Sequence, residues 1–549
     1  MKKDKSMRKN NFITGAFIAT LGIVITKILG ILYVIPFHSI IGDKGGALYG
    51  YAYTIYLFFM SISTAGIPLA ISNIVSEYQT LGYYNAKRRA FIIGKRVALL
   101  LGFISFLILM LCAPILAKFI LGDLTGGNTI EDVTLVIRVI STAILVVPVL
   151  SIYRGYFEGH RFMIAPSISQ VIEQLFRITI ILLGSYLSLK VFKQSLSTAV
   201  GIAVFGATAG AIISYLYLLH KRIRNRKKFN ERIRPVNEPI ITNKQILRKI
   251  VFYAVPFIMI DLFKSLYSCI DMVTVVKGLV KYAKFKTSNA EVIMSMLSTW
   301  AAKFNMIIAS ISAGVIVSLI PNLTKSYVDK DSKDMNKKIN QSISIVLFLA
   351  LPIALGISFL SKSIWMLFYG KSIYGPSVLS YSIFIGLFMS LFTVVISVMQ
   401  VFKNYKAILI SLLSGVIVKI LLNNYLIKLF HQLGLPEYHG IITATILGYL
   451  LSFIICLVVL RKKYKVNYDE LVKNFFDILC GSILMVIVLY LFKFVMPIYS
   501  DIRIMNLLII IIYGIIGVLI YFIYTYKTKT IINIFGKSFL KKFKIKKEK

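Results

Sequence analysis

Charged side chains inside long apolar stretches are the residues of this chain that could do chemistry. Lys27 and Lys303 lie well inside such stretches, with no acidic neighbour on the same predicted helix. A charge at the bilayer centre costs at least ~2.5–3.5 kcal/mol unless it faces water, a partner or a ligand. Two such ammonium groups predict a positively charged cavity, which suits a phosphate, diphosphate or carboxylate group.

Five other charged residues within apolar stretches each leave two interpretations open. Asp261, Lys264 and Asp271 lie within about 80° on one helical face. Lys264 could extend the cationic cavity, and the two aspartates could couple transport to an ion. Glu173 and Arg177 have the i,i+4 spacing of an ion pair on one helix. In the alternative interpretation, all five charges form structural pairs that hold helices together.

Fourteen apolar stretches must position these residues. The hydrocarbon core is ~30 Å thick, so a spanning helix needs roughly 20 apolar residues. We predict spans at residues 12–41, 47–76, 90–121, 132–153, 163–188, 197–219, 250–276, 292–322, 339–360, 376–402, 407–427, 439–460, 474–492 and 504–526. The sequence therefore predicts an all-α polytopic membrane protein with about 14 transmembrane helices. Within the sixth span, Gly206 and Gly210 fit the G-x-x-x-G pattern of close helix packing.

Composition and charge support a membrane protein and indicate its orientation. The 549 residues are 58% hydrophobic and only 15% charged, which excludes an ordinary soluble protein. The net charge of +41 is concentrated in short clusters beside span ends. These clusters follow the positive-inside rule when both termini are cytoplasmic. We expect them to contact anionic membrane lipids, and we expect no nucleic-acid partner.

The chain is predicted to contain a duplicated bundle. Ile71–Tyr78, at the end of the second span, aligns without gaps to Ile320–Tyr327, at the end of the eighth. Two six-span units of this kind have the same orientation and form parallel repeats, which in transporters tend to place the substrate between them. We predict an N-terminal lobe at 1–235, a C-terminal lobe at 236–465, two extra spans at 466–526 and a basic cytoplasmic tail at 527–549.

Several signals of other functions are absent from the sequence. No complete P-loop motif is present, so ATP is not expected to power the protein directly. The four cysteines lie far apart, and the five histidines lack metal-ligand spacing. Acidic residues in the predicted outside loops are few and scattered. We therefore predict a transporter rather than an enzyme, with no cofactor, driven by the membrane potential or an ion gradient.

Several motifs carry a family resemblance that covers essentially the whole chain. They are Lys27–Gly30 followed by Tyr33–Pro36, the Arg-Gly-Tyr-Phe-x-Gly-His stretch within Tyr153–His160, and the Ser-Gln-x-x-Glu-Gln stretch Ser169–Gln174. In these the chain resembles the MurJ-like lipid II flippases of Gram-positive bacteria. That family lies in the polysaccharide-transporter branch of the MOP exporter superfamily, together with stage V sporulation protein B.

The resemblance implies a fold, a substrate and a site. It implies two lobes around a cavity that carries lipid II, an undecaprenyl-diphosphate-linked peptidoglycan precursor, to the outer leaflet of the bacterial plasma membrane by alternating access. Lys27 and Lys303 match basic residues that line this cavity in the first and eighth spans. Gram-negative members carry a further arginine in the second span, where this chain has Tyr53 or Tyr56. The last two spans would form a groove for the isoprenoid tail, and cell-wall synthesis enzymes are candidate partners.

Other functions remain open from the sequence alone. Another lipid-linked polysaccharide, such as a spore-wall, teichuronic or capsular precursor, would suit the same cationic cavity. A multidrug exporter of the same superfamily would instead need an acidic cavity for its cationic substrates. A glycan polymerase would need an acidic catalytic loop outside the membrane.

Overall fold

The computed structural model describes residues 26–536 apart from 65, 227–228 and 230–237. The described residues are almost entirely helical and contain no strand, which confirms the predicted all-α fold. The start of the first predicted span, the predicted lobe boundary at 235/236 and residues 537–549 of the basic tail lie outside the described residues. The division into two lobes therefore stays a prediction.

The chain divides into two compact units. Residues up to Lys277, together with Lys286–Ser295, form the first unit, and Gly278–Phe285 with the chain from Met296 onwards form the second. The helices of the first unit are α1 Val34–Ser63, α2 Ile67–Leu81, α3 Tyr84–Leu121, α4 Ile130–Gly159, α5 Ile164–Thr179, α6 Leu196–Arg224, most of α7 Asn243–Ala283, and α8 Thr287–Ser295. Helix α5 continues through two π-helical turns, Ile180–Gly184 and Leu187–Val191.

The second unit begins its long helices after a π-helical turn at Met296–Trp300. Its helices are α9 Ala302–Val328, α10 Ser332–Phe359, α11 Ser361–Tyr369, α12 Gly375–Val401, α13 Tyr405–Gln432, α14 Glu437–Tyr464, α15 Asp469–Phe492, α16 Arg503–Lys527 and α17 Thr530–Phe535. Local sequence sets several of these boundaries. At the start of α10, for example, the Asp331 side chain accepts a hydrogen bond from the Asp334 N–H.

Twelve helical stretches of the described chain are long and apolar enough to cross a membrane. They correspond to the predicted spans other than the seventh, with the first two joined in Val34–Leu81. The seventh predicted span forms a 41-residue helix, α7, whose interior carries Asp261, Lys264 and Asp271. The chain is a polytopic membrane protein, and the total of fourteen spans stays a prediction.

Two glycines with positive φ interrupt the first long helical stretch. Gly42 (φ 62°, ψ −168°) breaks α1 close to the predicted turn between the first two spans. Gly66 (φ 75°) separates α1 from α2 within the second predicted span. A Cβ atom at Gly66 would lie 2.5 Å from the Ala254 carbonyl oxygen of α7, so both the backbone conformation and the close approach require glycine there.

Helix α4 packs against α2 through another close backbone approach. A Cβ atom at Gly155 would lie 2.3 Å from the Pro68 carbonyl oxygen. This distance is far below van der Waals contact, and the obstacle is backbone rather than a flexible side chain. The small residue therefore fixes the separation of the two helices, as is common between membrane helices.

We expect Gly155→Ala to destabilise the protein by about 1–3 kcal/mol, because α2 and α4 must separate to admit the methyl group. Gly514→Ala is the matched control, since a Cβ at Gly514 on α16 would meet nothing within 4 Å. Thermal unfolding of the purified protein in detergent measures both. An equal midpoint for the two variants would contradict the role of the Gly155 contact.

Candidate functional site

A carboxylate between two guanidinium groups forms the polar centre of the first unit. Glu173 of α5 accepts hydrogen bonds from Arg154 of α4 and from Arg177, one turn further along α5. Each ion pair measures 2.7 Å from guanidinium Nη2 to carboxylate oxygen. The three side chains are between 13% and 17% exposed. We name these residues the arginine–glutamate triad, which carries one net positive charge.

Serine side chains and backbone position this triad. The Nε of Arg154 donates to Ser169 Oγ at 2.9 Å, and its Nη2 also reaches Ser214 Oγ at 3.3 Å. Ser214 of α6 in turn donates to the Ser169 carbonyl oxygen at 2.7 Å. Helices α4, α5 and α6 are thus joined at one point by polar contacts, which suits a bilayer interior where hydrogen bonds to water are scarce.

Two glycines of α6 allow α5 to approach closely at the same level. A Cβ atom at Gly206 would lie 2.9 Å from the Arg177 carbonyl oxygen, and one at Gly210 would lie 2.6 Å from the Glu173 carbonyl oxygen. The G-x-x-x-G pattern therefore packs directly against the backbone of the triad. The pattern serves helix packing, and it fixes where Glu173 and Arg177 stand.

Tyrosine rings lie beside Arg177. Tyr49, Tyr53 and Tyr56 of α1 are near enough to interact electrostatically with its guanidinium group. The rings of Tyr49 and Tyr53 stack with centroids 5.7 Å apart and planes 11° from parallel, and Tyr33 shares a hydrogen bond with Tyr49. Within the described chain, the Nε of Arg177 has no hydrogen-bond acceptor. A guanidinium from α5 thus lies beside Tyr53 and Tyr56 of α1.

Lys27 lies at the beginning of the described chain, in helical residues 26–32. Its side chain is exposed, and no described residue forms an ion pair with it. One turn further on, a Cβ atom at Gly30 would lie 3.6 Å from Gln174 Nε2. Lys27 therefore stands on a helix that packs against α5 next to the triad.

The other predicted site residues are distributed over both units. Lys303 is half-buried at the start of α9 in the second unit, directly after the π-helical turn. Asp261 is exposed, and Lys264 and Asp271 are half-buried, on the part of α7 that belongs to the first unit. Asp261 and Lys264 do not form an ion pair in the described chain, although Lys264 is close enough to influence the carboxyl group. A cavity shared by Lys27 and Lys303 stays a prediction.

An apolar groove runs between α10, α15 and α16 of the second unit. It has a volume of about 330 Å³ and is lined by Gly356 of α10, Met485 of α15, and Tyr513 and Gly517 of α16, among other apolar residues. The Tyr521 hydroxyl, at the groove wall, donates to the Phe348 carbonyl oxygen at 3.0 Å, which leaves an apolar surface. Such a groove suits a hydrocarbon chain rather than a polar group.

Sequence reasoning missed Arg154. The predicted fourth span ended at residue 153, which placed Arg154 at the membrane surface, but α4 continues to Gly159. The charge lay in a motif that had already been singled out, Tyr153–His160. No pattern along the chain relates it to Glu173, because the contact joins two helices. Among the described residues, no group of three or more His, Cys, Asp or Glu side chains gathers to hold a metal ion.

Comparison with known proteins places the chain in a family. The model of the polysaccharide biosynthesis protein family matches residues 12–327, more than half of the chain. The chain is 33% identical over 542 residues to the lipid II flippase MurJ of Bacillus subtilis, covering 96% of this chain and 97% of that protein. It is 26% identical to stage V sporulation protein B of the same organism, over 42% of this chain and 43% of that one.

Solved structures share the fold. The lipid II flippase MurJ in an inward closed conformation matches with a TM-score of 0.63 at 16% identity, covering 94% of this chain and all (100%) of that one. A multidrug resistance MATE transporter of the MOP superfamily, in an inward-facing conformation, matches with a TM-score of 0.64 at 12% identity, covering 81% and 98%.

The apolar helices and the similarity to MurJ together indicate a multi-pass plasma-membrane protein. The similarity to a flippase confirms the prediction of a transporter rather than an enzyme. The chain belongs to the polysaccharide biosynthesis protein family, and its relatives include MurJ and stage V sporulation protein B of Bacillus subtilis.

Proposed function

We propose that this protein moves lipid II from the inner to the outer leaflet of the plasma membrane by alternating access, with both termini in the cytoplasm. The observation that carries the proposal is the 33% identity to the lipid II flippase MurJ over 96% of the chain. Coverage matters here, because the apolar helices that would hold the lipid tail are included along with the charged residues of the lobes.

The proposed headgroup site is cationic. Lys27 and Lys303 would neutralise the diphosphate, with Lys264 as a third candidate. Lysine is a point charge and lacks the planar fork that arginine offers to a diphosphate. Arg177, with its Nε unpaired in the described chain and tyrosine hydroxyls beside it, is the guanidinium of the first unit that is best placed to supply such a fork.

The apolar groove of the second unit supports the proposal from the side of the lipid tail. A flippase must keep a long isoprenoid chain in contact with protein or lipid while the polar headgroup crosses the membrane interior. The groove lies between α10 and the last two predicted spans, α15 and α16, and its lining is almost entirely apolar. A transporter of small cations would have no need of such a surface.

We propose the membrane potential as the driving force, since a potential negative inside favours outward movement of an anionic headgroup by ~2.3 kcal/mol per charge per 100 mV. Ion coupling through Asp261 or Asp271 is the alternative, and a structural role for these carboxylates is a third. Collapsing the potential with an ionophore tests the membrane potential as the driving force. Unchanged outward exposure of precursor after collapse would exclude the potential as the driving force.

A second candidate function is transport of another lipid-linked polysaccharide, which the match to the polysaccharide biosynthesis protein family favours. The diphosphate and isoprenoid parts of such a substrate would occupy the same residues. The likeness to multidrug transporters, at 12% identity, extends to the fold alone. Cell-wall synthesis enzymes remain predicted partners.

We predict that Lys27→Ala and Lys303→Ala each fail to restore outward exposure of lipid II in cells depleted of this protein and lacking any second flippase. Losing one cation from a diphosphate site removes a charge-assisted contact of roughly 1.5–3 kcal/mol, about a 10-fold to 150-fold effect on binding. Lys462→Ala, an exposed lysine at the end of α14, is the control and should restore exposure.

The same assay separates the two candidate functions. Accumulation of lipid II on the inner leaflet, relieved by the wild type and by Lys462→Ala but by neither site variant, supports both the substrate and the site. Normal outward exposure of lipid II throughout depletion would exclude this substrate and leave the other lipid-linked polysaccharides.

We predict that Glu173→Gln lowers the free energy of unfolding by about 3 kcal/mol, since it leaves two neighbouring guanidinium groups with no carboxylate. The double variant Glu173→Gln/Arg177→Gln restores the original net charge of the triad and should recover part of the loss. Glu131→Gln, an exposed carboxylate in the first turn of α4, is the control. Thermal unfolding in detergent measures all three, and equal midpoints for Glu173→Gln and Glu131→Gln would show that the triad is not stabilising.

We predict that Gly356→Leu slows transport of the long-chain precursor and leaves a short-chain analogue unaffected. Gly356 lines the groove and a Cβ there meets nothing within 4 Å, so we expect a leucine side chain to occupy part of the groove volume. Gly314→Leu is the control, because Gly314 on α9 also has open space but lies outside this groove. If Gly356→Leu slows transport of the long-chain precursor and of the short-chain analogue equally, the groove does not hold the tail.

A further inference from the structure

A cavity at one end of α3 and α6 combines cations with apolar side chains. It has a volume of about 520 Å³ and belongs to the first unit. The residues of its lining that matter here are Lys95, Arg96 and Arg222 on one side and Leu99, Leu100 and Phe103 on the other. None of the lining residues is acidic, so the lining itself carries a net positive charge.

The three cations are differently held. The guanidinium carbon of Arg222 lies 4.2 Å from the centroid of the Phe91 ring and also faces the rings of Tyr153 and Tyr156, which fixes its position by cation–π interactions. Lys95 is half-buried and Arg96 is exposed. Within the described chain neither of these two forms an ion pair. One placed guanidinium and two adjustable cations suit a phosphate group.

The apolar residues follow the cations along the same face of α3. Leu99 lies one turn after Lys95, Leu100 one turn after Arg96, and Phe103 a further turn along the helix. At 1.5 Å per residue, this face runs roughly 10–12 Å from the cations into the apolar part of the helix. All three apolar side chains are about half exposed, so they are available to a hydrocarbon chain.

The position of Lys95 and Arg96 along α3 matches the depth at which lipid headgroups lie. Helix α3 begins at Tyr84 and ends at Leu121. The helix is longer than the ~20 residues that cross the hydrocarbon core, so Lys95 and Arg96, near the start of the predicted span at 90–121, can lie at headgroup level with Leu99 to Phe103 at the edge of the core. A phosphate diester with attached acyl chains has this order of charge and hydrocarbon.

We propose that this cavity binds an anionic glycerophospholipid, with the phosphate between Lys95, Arg96 and Arg222 and an acyl chain along Leu99, Leu100 and Phe103. The site is separate from the headgroup and tail sites of the proposed function and does not depend on the identity of the transported substrate. Its occupant would be a lipid of the surrounding membrane, since the apolar side of the cavity is about half exposed on a helix that is long and apolar enough to cross a membrane.

The test is native mass spectrometry of the full-length protein in detergent, titrated with phosphatidylglycerol and, separately, with phosphatidylcholine. We expect the wild type to retain phosphatidylglycerol at lower concentration than phosphatidylcholine. Lys95→Gln/Arg96→Gln should raise the concentration of phosphatidylglycerol needed for the first bound lipid by roughly fivefold per charge, or about 25-fold. Binding of phosphatidylcholine should not change.

The matched control is Arg461→Gln/Lys462→Gln, which removes the same two charges from an exposed basic pair at the end of α14. If both double variants lose phosphatidylglycerol binding to the same extent, the attraction is a non-specific effect of net charge and the proposal is overturned. Thermal unfolding midpoints are compared first. If the midpoint of Lys95→Gln/Arg96→Gln is lower than that of the wild type, the single variant Arg96→Gln, at an exposed position, replaces it. We expect Arg96→Gln to raise the concentration of phosphatidylglycerol needed for the first bound lipid by about fivefold.

Two competitors distinguish the phosphatidyl group from other phosphates. Glycerol 3-phosphate should displace phosphatidylglycerol only at far higher concentration, because it lacks the acyl chain; displacement at equal concentration would reduce the site to a simple anion site and overturn the proposal. The second competitor is a polyprenyl diphosphate. If it displaces bound phosphatidylglycerol at a lower concentration than added phosphatidylglycerol does, the cavity belongs to the transported lipid and the proposal is overturned.

Discussion

A buried charge must find a partner when the surroundings are hydrocarbon, and the arginine–glutamate triad is where the first unit meets this constraint most fully. Glu173 neutralises one guanidinium and shares its other oxygen with a second, at 2.7 Å in each case. Neither arginine could stand alone at this level without a cost of several kcal/mol. The carboxylate therefore makes it possible to keep a net positive charge inside the helical bundle.

The triad in turn depends on how closely the helices approach one another. Gly206 and Gly210 let α6 approach the backbone of α5 at Arg177 and Glu173, and Gly155 lets α4, the helix of Arg154, approach α2. A small residue at each contact sets the distance between helix axes, and that distance decides whether guanidinium and carboxylate meet. Packing and electrostatics are coupled here, since a methyl group at Gly210 would displace the residue that joins the two arginines.

The sequence predicts the features that repeat along one helix and misses those that join two. Apolar length predicted the spans, and the i,i+4 spacing of Glu173 and Arg177 predicted a pair that one helix forms by itself. Arg154 escaped because the apolar stretch ends before it while the helix continues, so hydropathy and helix length gave different boundaries. The tyrosine rings beside Arg177 come from α1, more than a hundred residues away in the chain, and no periodicity relates them to α5.

The fourteen predicted spans show the same distinction in another form. Hydropathy recognises helices that face lipid on most sides, such as α16, and is weaker for α7, in which Asp261, Lys264 and Asp271 interrupt the apolar run. A helix can carry such charges only if part of its surface faces something other than hydrocarbon. The charges of α7 are therefore themselves a structural signal, because they indicate that part of this helix faces water, protein or a ligand.

The use of lysine and arginine in this chain follows from what each side chain does well. Three arginines lie where a planar group is held in one geometry: Arg154 and Arg177 on Glu173, and Arg222 over the Phe91 ring. Lys27 is exposed on a long flexible stem with no ion-pair partner in the described chain. For the proposed transport of a diphosphate, a mobile point charge has an advantage over a fixed fork. It can follow the headgroup through a conformational change and release it afterwards, whereas a bidentate contact would have to be broken at both ends.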